Sequence, residues 1–229
     1  MSPREEYAEE AEFARDLIRR YARIPARTLL HLGCGGGHLD WTLKKHFRVT
    51  GIDRSRTMLR FARRLNPTVA YRLGDVRTVR LGTRFDAVAV FDSIDYMRTE
   101  AELRAAFRTA WVHLKPGGVF LTYAESTREG FKQGSTSTWT RSKGDLVVTF
   151  VENIFDPNPR DSTFETTFVF LVRRKGRLQV HTDRHRMGLF PLDTWIRLLE
   201  ARGFRVTMRR ESPSGDAPGT PWLVGSRPV

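Results

Sequence analysis

Five short apolar runs, each followed by a polar or helix-patterned segment, constrain this chain more than any other feature. Thr28–Leu32, Val49–Ile52, Val69–Leu73, Phe85–Phe91 and Val119–Tyr123 are the runs. Residues 38–46, 55–65 and 100–113 between them read as helices, the second opened by Ser55 as its cap. Strands that are apolar on both faces and alternate with helices fit a parallel sheet covered on its two sides, and few other architectures.

Residues 5–22 ahead of the first run form an amphipathic helix, with Tyr7, Ala11, Ala14, Leu17, Ile18 and Tyr21 near one face. Past residue 125 the rhythm changes. Leu146–Phe155, Phe164–Arg173 and Leu178–Phe190 read as three longer, alternating strands joined by Asp-Pro-Asn-Pro and Lys-Gly turns. A helix at 192–202, Gly203 as its stop and a strand at 204–209 return to the first pattern, and a loop runs on to Trp222. The expectation is one α/β domain over 1–229, a Rossmann-like, doubly wound, mostly parallel sheet of the seven-strand type. Residues 1–24 add an N-terminal helix, and 126–190 form an antiparallel β insert standing over the sheet's active edge.

The first strand runs into Gly33-Cys-Gly-Gly-Gly37. A dinucleotide loop of the form Gly-x-Gly-x-x-Gly needs a third glycine where this chain has His38, and no lysine or arginine follows to meet a phosphate. Asp53 ends the second run twenty positions after Gly33, where a carboxylate can accept both hydroxyls of a ribose. Gly74-Asp75 closes the third run, in reach of an adenine amino group, and Lys115-Pro-Gly-Gly118 precedes the fifth. Together they suit an adenosyl group without phosphate.

On these motifs the chain resembles the class I S-adenosylmethionine (SAM)-dependent methyltransferases over almost its full length. More narrowly it is similar to the N,N-dimethyltransferases of antibiotic deoxyamino-sugar biosynthesis, through Glu6-Tyr-Ala-Glu-Glu-Ala11, Phe91-Asp-Ser-Ile-Asp-Tyr96, Asp183-Arg-His-Arg-Met-Gly-Leu-Phe190 and Pro213-Ser-Gly215. The resemblance implies SAM as cofactor and methylation of nitrogen or oxygen on a small natural-product or sugar intermediate. It implies that Tyr7 reaches the methionine carboxylate. It also makes His31 a departure, because an acidic residue that helps hold the loop and the methionine end of SAM normally stands there. The expected cofactor contacts are Tyr7, His31, Gly33, Gly35, Asp53, Arg54, Met58, Asp75, Val76 and Phe91.

For the acceptor, Tyr96 and Glu125 follow the fourth and fifth strands, and His185, where the resembling family also has histidine, lies on the insert; these are the catalytic candidates. Asp92 and Asp95 are secondary, and Arg128 and Arg186 are candidates for holding an anion. His181, Asp183 and His185 share a strand face, but without a further ligand no metal is expected.

The net charge of +13 raises a tRNA or rRNA base as an alternative substrate. Only six of the 39 basic residues are lysine, however, and the arginines are scattered rather than interleaved with aromatics. A non-catalytic SAM-fold protein is the other alternative, raised by His31. The charged N-terminus lacks the apolar core of a signal peptide, no apolar stretch is long enough to span a membrane, and the single Cys34 forms no internal disulfide; a cytoplasmic enzyme is expected. Free edges on the insert suggest a homodimer.

Overall fold

The first apolar run becomes strand β1, Thr28–Leu32, interior to a seven-stranded sheet ordered β10-β11-β5-β4-β1-β2-β3. The structure, a computed structural model, describes residues 4–210 and 219–229; the expected match at Pro213-Ser-Gly215 lies outside them. β1 pairs in parallel with β2 (Arg48–Asp53) and β4 (Phe85–Val90), β2 with β3 (Ala70–Leu73), and β4 with β5 (Leu114–Tyr123). Only β11 (Trp222–Ser226) runs against its neighbours, β5 and β10 (Arg205–Arg209). The chain winds outward from β1 to β3 and then restarts at β4 on β1's other side. That reversal is the switch point at which open α/β sheets bind ligands, beyond the carboxyl ends of the strands.

Period-two alternation explains why both faces are covered. Leu29, Val49, Ala87, Ala89, Val119 and Leu121 meet one helical layer, which draws Ala11, Ala14, Leu17 and Ile18 from α1 (Arg4–Tyr21) and Leu59 and Ala62 from α3 (Arg56–Leu65). On the other face Phe120 packs on Phe107 of α4 (Glu100–His113), which meets Trp195 of α5 (Leu192–Arg202). At the amino ends of β1 and β4, buried Asp86 accepts from the amides of Arg27 (2.9 Å) and Thr28 (2.8 Å) and from Lys115 Nζ (2.8 Å). Burial pushes its carboxyl up, but Lys115 and these donors outweigh that and hold it at about 2.

The helix expected at 38–46 is shorter. Regular α-helix, α2, covers only Asp40–Leu43, because Trp41, Thr42, Lys45 and His46 bond three residues back rather than four. A 3-10 turn, Asp92–Tyr96, follows β4.

The chain divides into two compact units. The sheet just described, with its helices, makes up one. Asp95–Thr99 and Ser126–Pro191 make the other, so the insert expected at 126–190 is joined by five residues that begin in the turn after β4. It contains four strands, not three: β6 (Thr136–Lys143), β7 (Leu146–Phe155), β8 (Thr163–Arg174) and β9 (Arg177–Gly188), antiparallel in that order. The free edges expected on the insert are those of β6 and β9; β7 and β8 are interior. Within this unit Ser162 Oγ donates to the carbonyl of Arg98 at 2.8 Å, which fastens the Asp95–Thr99 segment.

Candidate active site

At the carboxyl end of β1 the amides of Gly33 and Cys34 both donate to the carbonyl of Ile52, at 2.7 and 2.9 Å, which turns the glycine run across the end of β2. There Asp53 receives Gly35 N–H on Oδ2 (2.9 Å) and Ser55 N–H on Oδ1 (2.7 Å). A carboxylate has about four acceptor positions, so each oxygen keeps one for a ligand hydroxyl. The glycines differ in purpose. A Cβ on Gly33 would lie 1.8 Å from Ser93 Oγ, so its close approach is to the chain's own serine. Gly35, at φ +52°, has nothing within 4 Å of where a Cβ would stand. It alone of the two faces open space, with its amide aimed at Asp53, and the loop carries no cation for a phosphate. These features fit an adenosyl ligand.

Behind the loop lies a buried hydrogen-bond network absent from the sequence expectations. His31 Nδ1 meets Asp40 Oδ1 at 2.7 Å, and Tyr71 O–H donates to Asp40 Oδ2 at 2.8 Å. Asn66 Nδ2 donates to the carbonyl of Gly37 at 2.7 Å and to the Tyr71 hydroxyl oxygen at 3.0 Å. Burial, then Asp40, push the Tyr71 phenol far up, so it remains a donor. His31 is therefore turned to Asp40, its ring edge-on to Phe91 with centroids 5.1 Å apart. Phe91 itself is 2% exposed and packs as core, as does Val76 at 8%.

Of the other expected contacts, Tyr7 stacks on His38 of the loop with centroids 5.1 Å apart. Arg54 and Met58 are exposed. Asp75 is held by Arg77, whose Nε donates to Oδ1 (2.9 Å) and Nη2 to Oδ2 (2.6 Å); Arg77's hydrogen bonds, against burial, hold that carboxyl low. The fork leaves Asp75 room for at most one further donor on Oδ2.

Three carboxylates gather near β5's end. Tyr123 O–H donates to Asp92 Oδ1. Burial, then Asp92, raise Glu10 of α1 to about 7, with Tyr123 and His31 opposing and Glu125 adding to the rise. Glu10 was not expected here. Its signal was a carboxylate three residues past Tyr7 and one before Ala11, on the helix face otherwise apolar.

In the second unit, Tyr96 O–H bonds His185 Nδ1, and His185 Nε2 lies 3.0 Å from Asp183 Oδ2. Asp183 fixes the tautomer: Nε2 carries the hydrogen, Nδ1 accepts from the phenol. The ring of Phe168 meets His185 edge-on at 5.0 Å. So two of the three catalytic candidates, Tyr96 and His185, are brought together. Glu125 is exposed after β5 in the first unit. Arg128 and Arg186 both serve the 159–163 turn: Arg128 Nη1 donates to the carbonyl of Pro159 (2.9 Å) and Arg186 Nε to Thr163 Oγ1 (3.0 Å). Among the described residues no group of three or more histidine, cysteine or acidic side chains is arranged to hold a metal.

Residues 29–118 match the family described as a methyltransferase domain. The chain is 33% identical, over 92% of its own length and 88% of the relative's, to dTDP-3-amino-3,4,6-trideoxy-alpha-D-glucopyranose N,N-dimethyltransferase of Streptomyces venezuelae.

The chain belongs to the class I SAM-dependent methyltransferases.

Solved structures agree with this methyltransferase throughout. DesVI of Streptomyces venezuelae superposes with a TM-score of 0.88 at 30% identity, covering 98% of this chain and 92% of that one. An amino pentose methyltransferase of Micromonospora echinaspora involved in calicheamicin biosynthesis, solved with SAM bound, gives 0.86 at 26%, covering 96% and 91%. The methyltransferase therefore uses SAM and keeps its family's seven-stranded sheet. No helix among its described residues is long and apolar enough to cross a membrane.

Proposed function

We propose that this methyltransferase transfers methyl groups to the amino nitrogen of a nucleotide-linked deoxyamino sugar in a natural-product pathway, in the cytoplasm. The observation that carries this is the full-length relationship to an enzyme named for N,N-dimethylation of such a sugar. Bound SAM supplies a methyl group made electrophilic by its sulfonium, which an uncharged amine displaces in line. The chain's contribution is then orientation and exclusion of water more than covalent chemistry. Asp53 holds the ribose hydroxyls, Gly35 gives the ligand room, Asp75 and the segment at Val76 border the adenine, and Tyr7 takes the carboxylate of the amino-acid end. Glu125 draws in the amine as its ammonium, which releases its proton to solvent before the neutral nitrogen attacks.

Tyr96, its hydrogen held by His185, presents an oxygen lone pair that orients the acceptor's N–H. Tyr96→Phe and His185→Ala should each lower kcat/KM for the amine about 10- to 100-fold. The double variant should be no worse than the poorer single one, because the two act as one unit. S-adenosylhomocysteine affinity should be unchanged in both, by calorimetry.

Incubation with SAM and a dTDP-linked 3-amino deoxysugar, followed by mass spectrometry, should show gain of one and then two methyl groups. Methylation of RNA with no amine product would replace this proposal with the one that the charge of +13 favours. An RNA substrate would also bind with a steep inverse dependence on salt.

We further propose that two copies associate through the second unit. Both β6 and β9 offer unpaired edges, and β9, with exposed Leu178 and Val180, runs for 12 residues. Long free edges are seldom left uncovered. Sedimentation at micromolar concentration should give a dimer, and Val180→Lys should convert it to monomer. A monomer at the outset refutes the association.

A further inference from the structure

We propose that Glu10 of α1 is the counter-ion for the ammonium group on the cofactor's amino-acid end. The inference rests on SAM being the cofactor, and it follows from what the other acids near the loop already hold. Asp40 is fully buried between His31 and Tyr71. Asp53 carries the Gly35 and Ser55 amides, and Asp75 carries the Arg77 fork. Asp92 takes the Tyr123 hydroxyl. Glu10 differs: its Oε1 is buried and receives no hydrogen bond from any described residue. A buried carboxylate oxygen without a donor is costly, and a ligand N–H would remove that cost.

The surroundings have the sign an ammonium requires. Asp92 on the 3-10 turn and Glu125 beyond β5 add negative potential. Tyr123 on β5, whose hydroxyl is given to Asp92, and His31 on β1 are the opposing influences. His31's Nδ1 is turned to Asp40, so it does not neutralise Glu10 by direct pairing through that nitrogen. Tyr7, one turn earlier on α1, stacks on His38 of the glycine loop, which ties this stretch of helix to the loop. Glu10 with its carboxyl raised to about 7 is half ionised near neutrality. A bound cation stabilises the ionised form, so binding should expel a proton around pH 7.

Two ligands separate the roles: S-adenosylhomocysteine carries the ammonium, and methylthioadenosine has the same nucleoside without the amino-acid end. For Glu10→Gln, calorimetry should show homocysteine-ligand affinity falling about tenfold or more, with methylthioadenosine affinity unchanged. Titrations at pH 7 in buffers of different ionisation heat should show proton release on binding the first ligand to the native protein, and none in the variant. Glu10→Asp, which keeps the charge on a shorter arm, should recover part of the affinity. A melting series gives a readout without ligand. A carboxyl raised by folding contributes stability fully present below about pH 4.5 and lost as pH rises through about 7. The glutamine variant should therefore melt above the native protein at pH 8. Equal affinities of native and variant for both ligands, or equal losses for both, would overturn the proposal. Absence of any binding by the native protein would instead strike at the cofactor itself.

Discussion

Asp40→Ala should cost this protein about 3 to 5 kcal/mol of stability, the largest loss expected from any single side chain at the site. Asp40 has no exposed surface, and His31, its partner at 2.7 Å, is 2% exposed. Truncation leaves an imidazole and the Tyr71 hydroxyl facing each other across a void, both buried and short of an acceptor. Tyr71 is shared with Asn66, which grips the carbonyl of Gly37, so the damage spreads to the glycine loop. A domain of this size holds only about 5 to 15 kcal/mol in total, and at about 2 to 4 °C per kcal/mol the melting temperature should drop by about 10 °C. Asp40→Asn keeps an acceptor for one neighbour and should lose roughly half as much. Cofactor affinity should fall in step with stability across the two variants. Scanning calorimetry that finds less than about 1 kcal/mol for the alanine variant would mean the pair is replaceable by water.

How legible such features are in the sequence depends on where their partners lie. Thr28–Leu32, Glu100–His113 and Leu192–Arg202 were readable to the residue, because an apolar run or a helical period is a local signal bounded by local stops. β6 escaped because Thr-Ser-Thr-Trp-Thr-Arg-Ser-Lys offers one large apolar side chain in eight. Backbone pairing with β7, from Thr136↔Asn153 to Lys143↔Leu146, makes it a strand, not burial. Residues 38–46 erred in the other direction: their composition permits a helix, but the turns on either side of Asp40–Leu43 take shorter bonds. At the candidate site, the position of Asp53 at the end of β2 was visible from its spacing after the glycines. Asp40 and Glu10 were not, since their meaning comes from residues 31 positions along at Tyr71 and more than 80 along at Asp92. His31, read as a lost acid, is half of a buried couple with Asp40, nine residues on. The Arg77 fork on Asp75 is close in sequence, yet no propensity announces it.

Asp53→Ala should weaken SAM and S-adenosylhomocysteine binding by about 100-fold, and should do so for methylthioadenosine equally. The carboxylate does two things at once. It fixes the loop, through charge-assisted bonds from Gly35 at 2.9 Å and Ser55 at 2.7 Å, and it keeps one acceptor position on each oxygen, which the proposed function gives to the ribose. Hydrogen bonds to a charged group contribute about 1.5 to 3 kcal/mol each, and every 1.4 kcal/mol is tenfold in affinity. Loss of two ribose bonds, after subtracting what water recovers, thus predicts about 3 kcal/mol. Asp53→Asn separates the functions. Its amide oxygen can still accept one loop N–H, but its NH2 turns a donor toward the other, so loop geometry suffers less than in alanine while ribose recognition falls about tenfold. Adenine alone, which lacks the ribose, should bind the native and Asn proteins alike. A stability change accompanies both variants but stays near 1 kcal/mol, because Ser55 Oγ still caps α3 through Met58 N–H at 3.3 Å. Affinity for the nucleoside ligands that stays within a factor of about three in the alanine variant would remove Asp53 from the ribose, leaving it a loop anchor, and would move the sugar to another part of the β1–β2 edge.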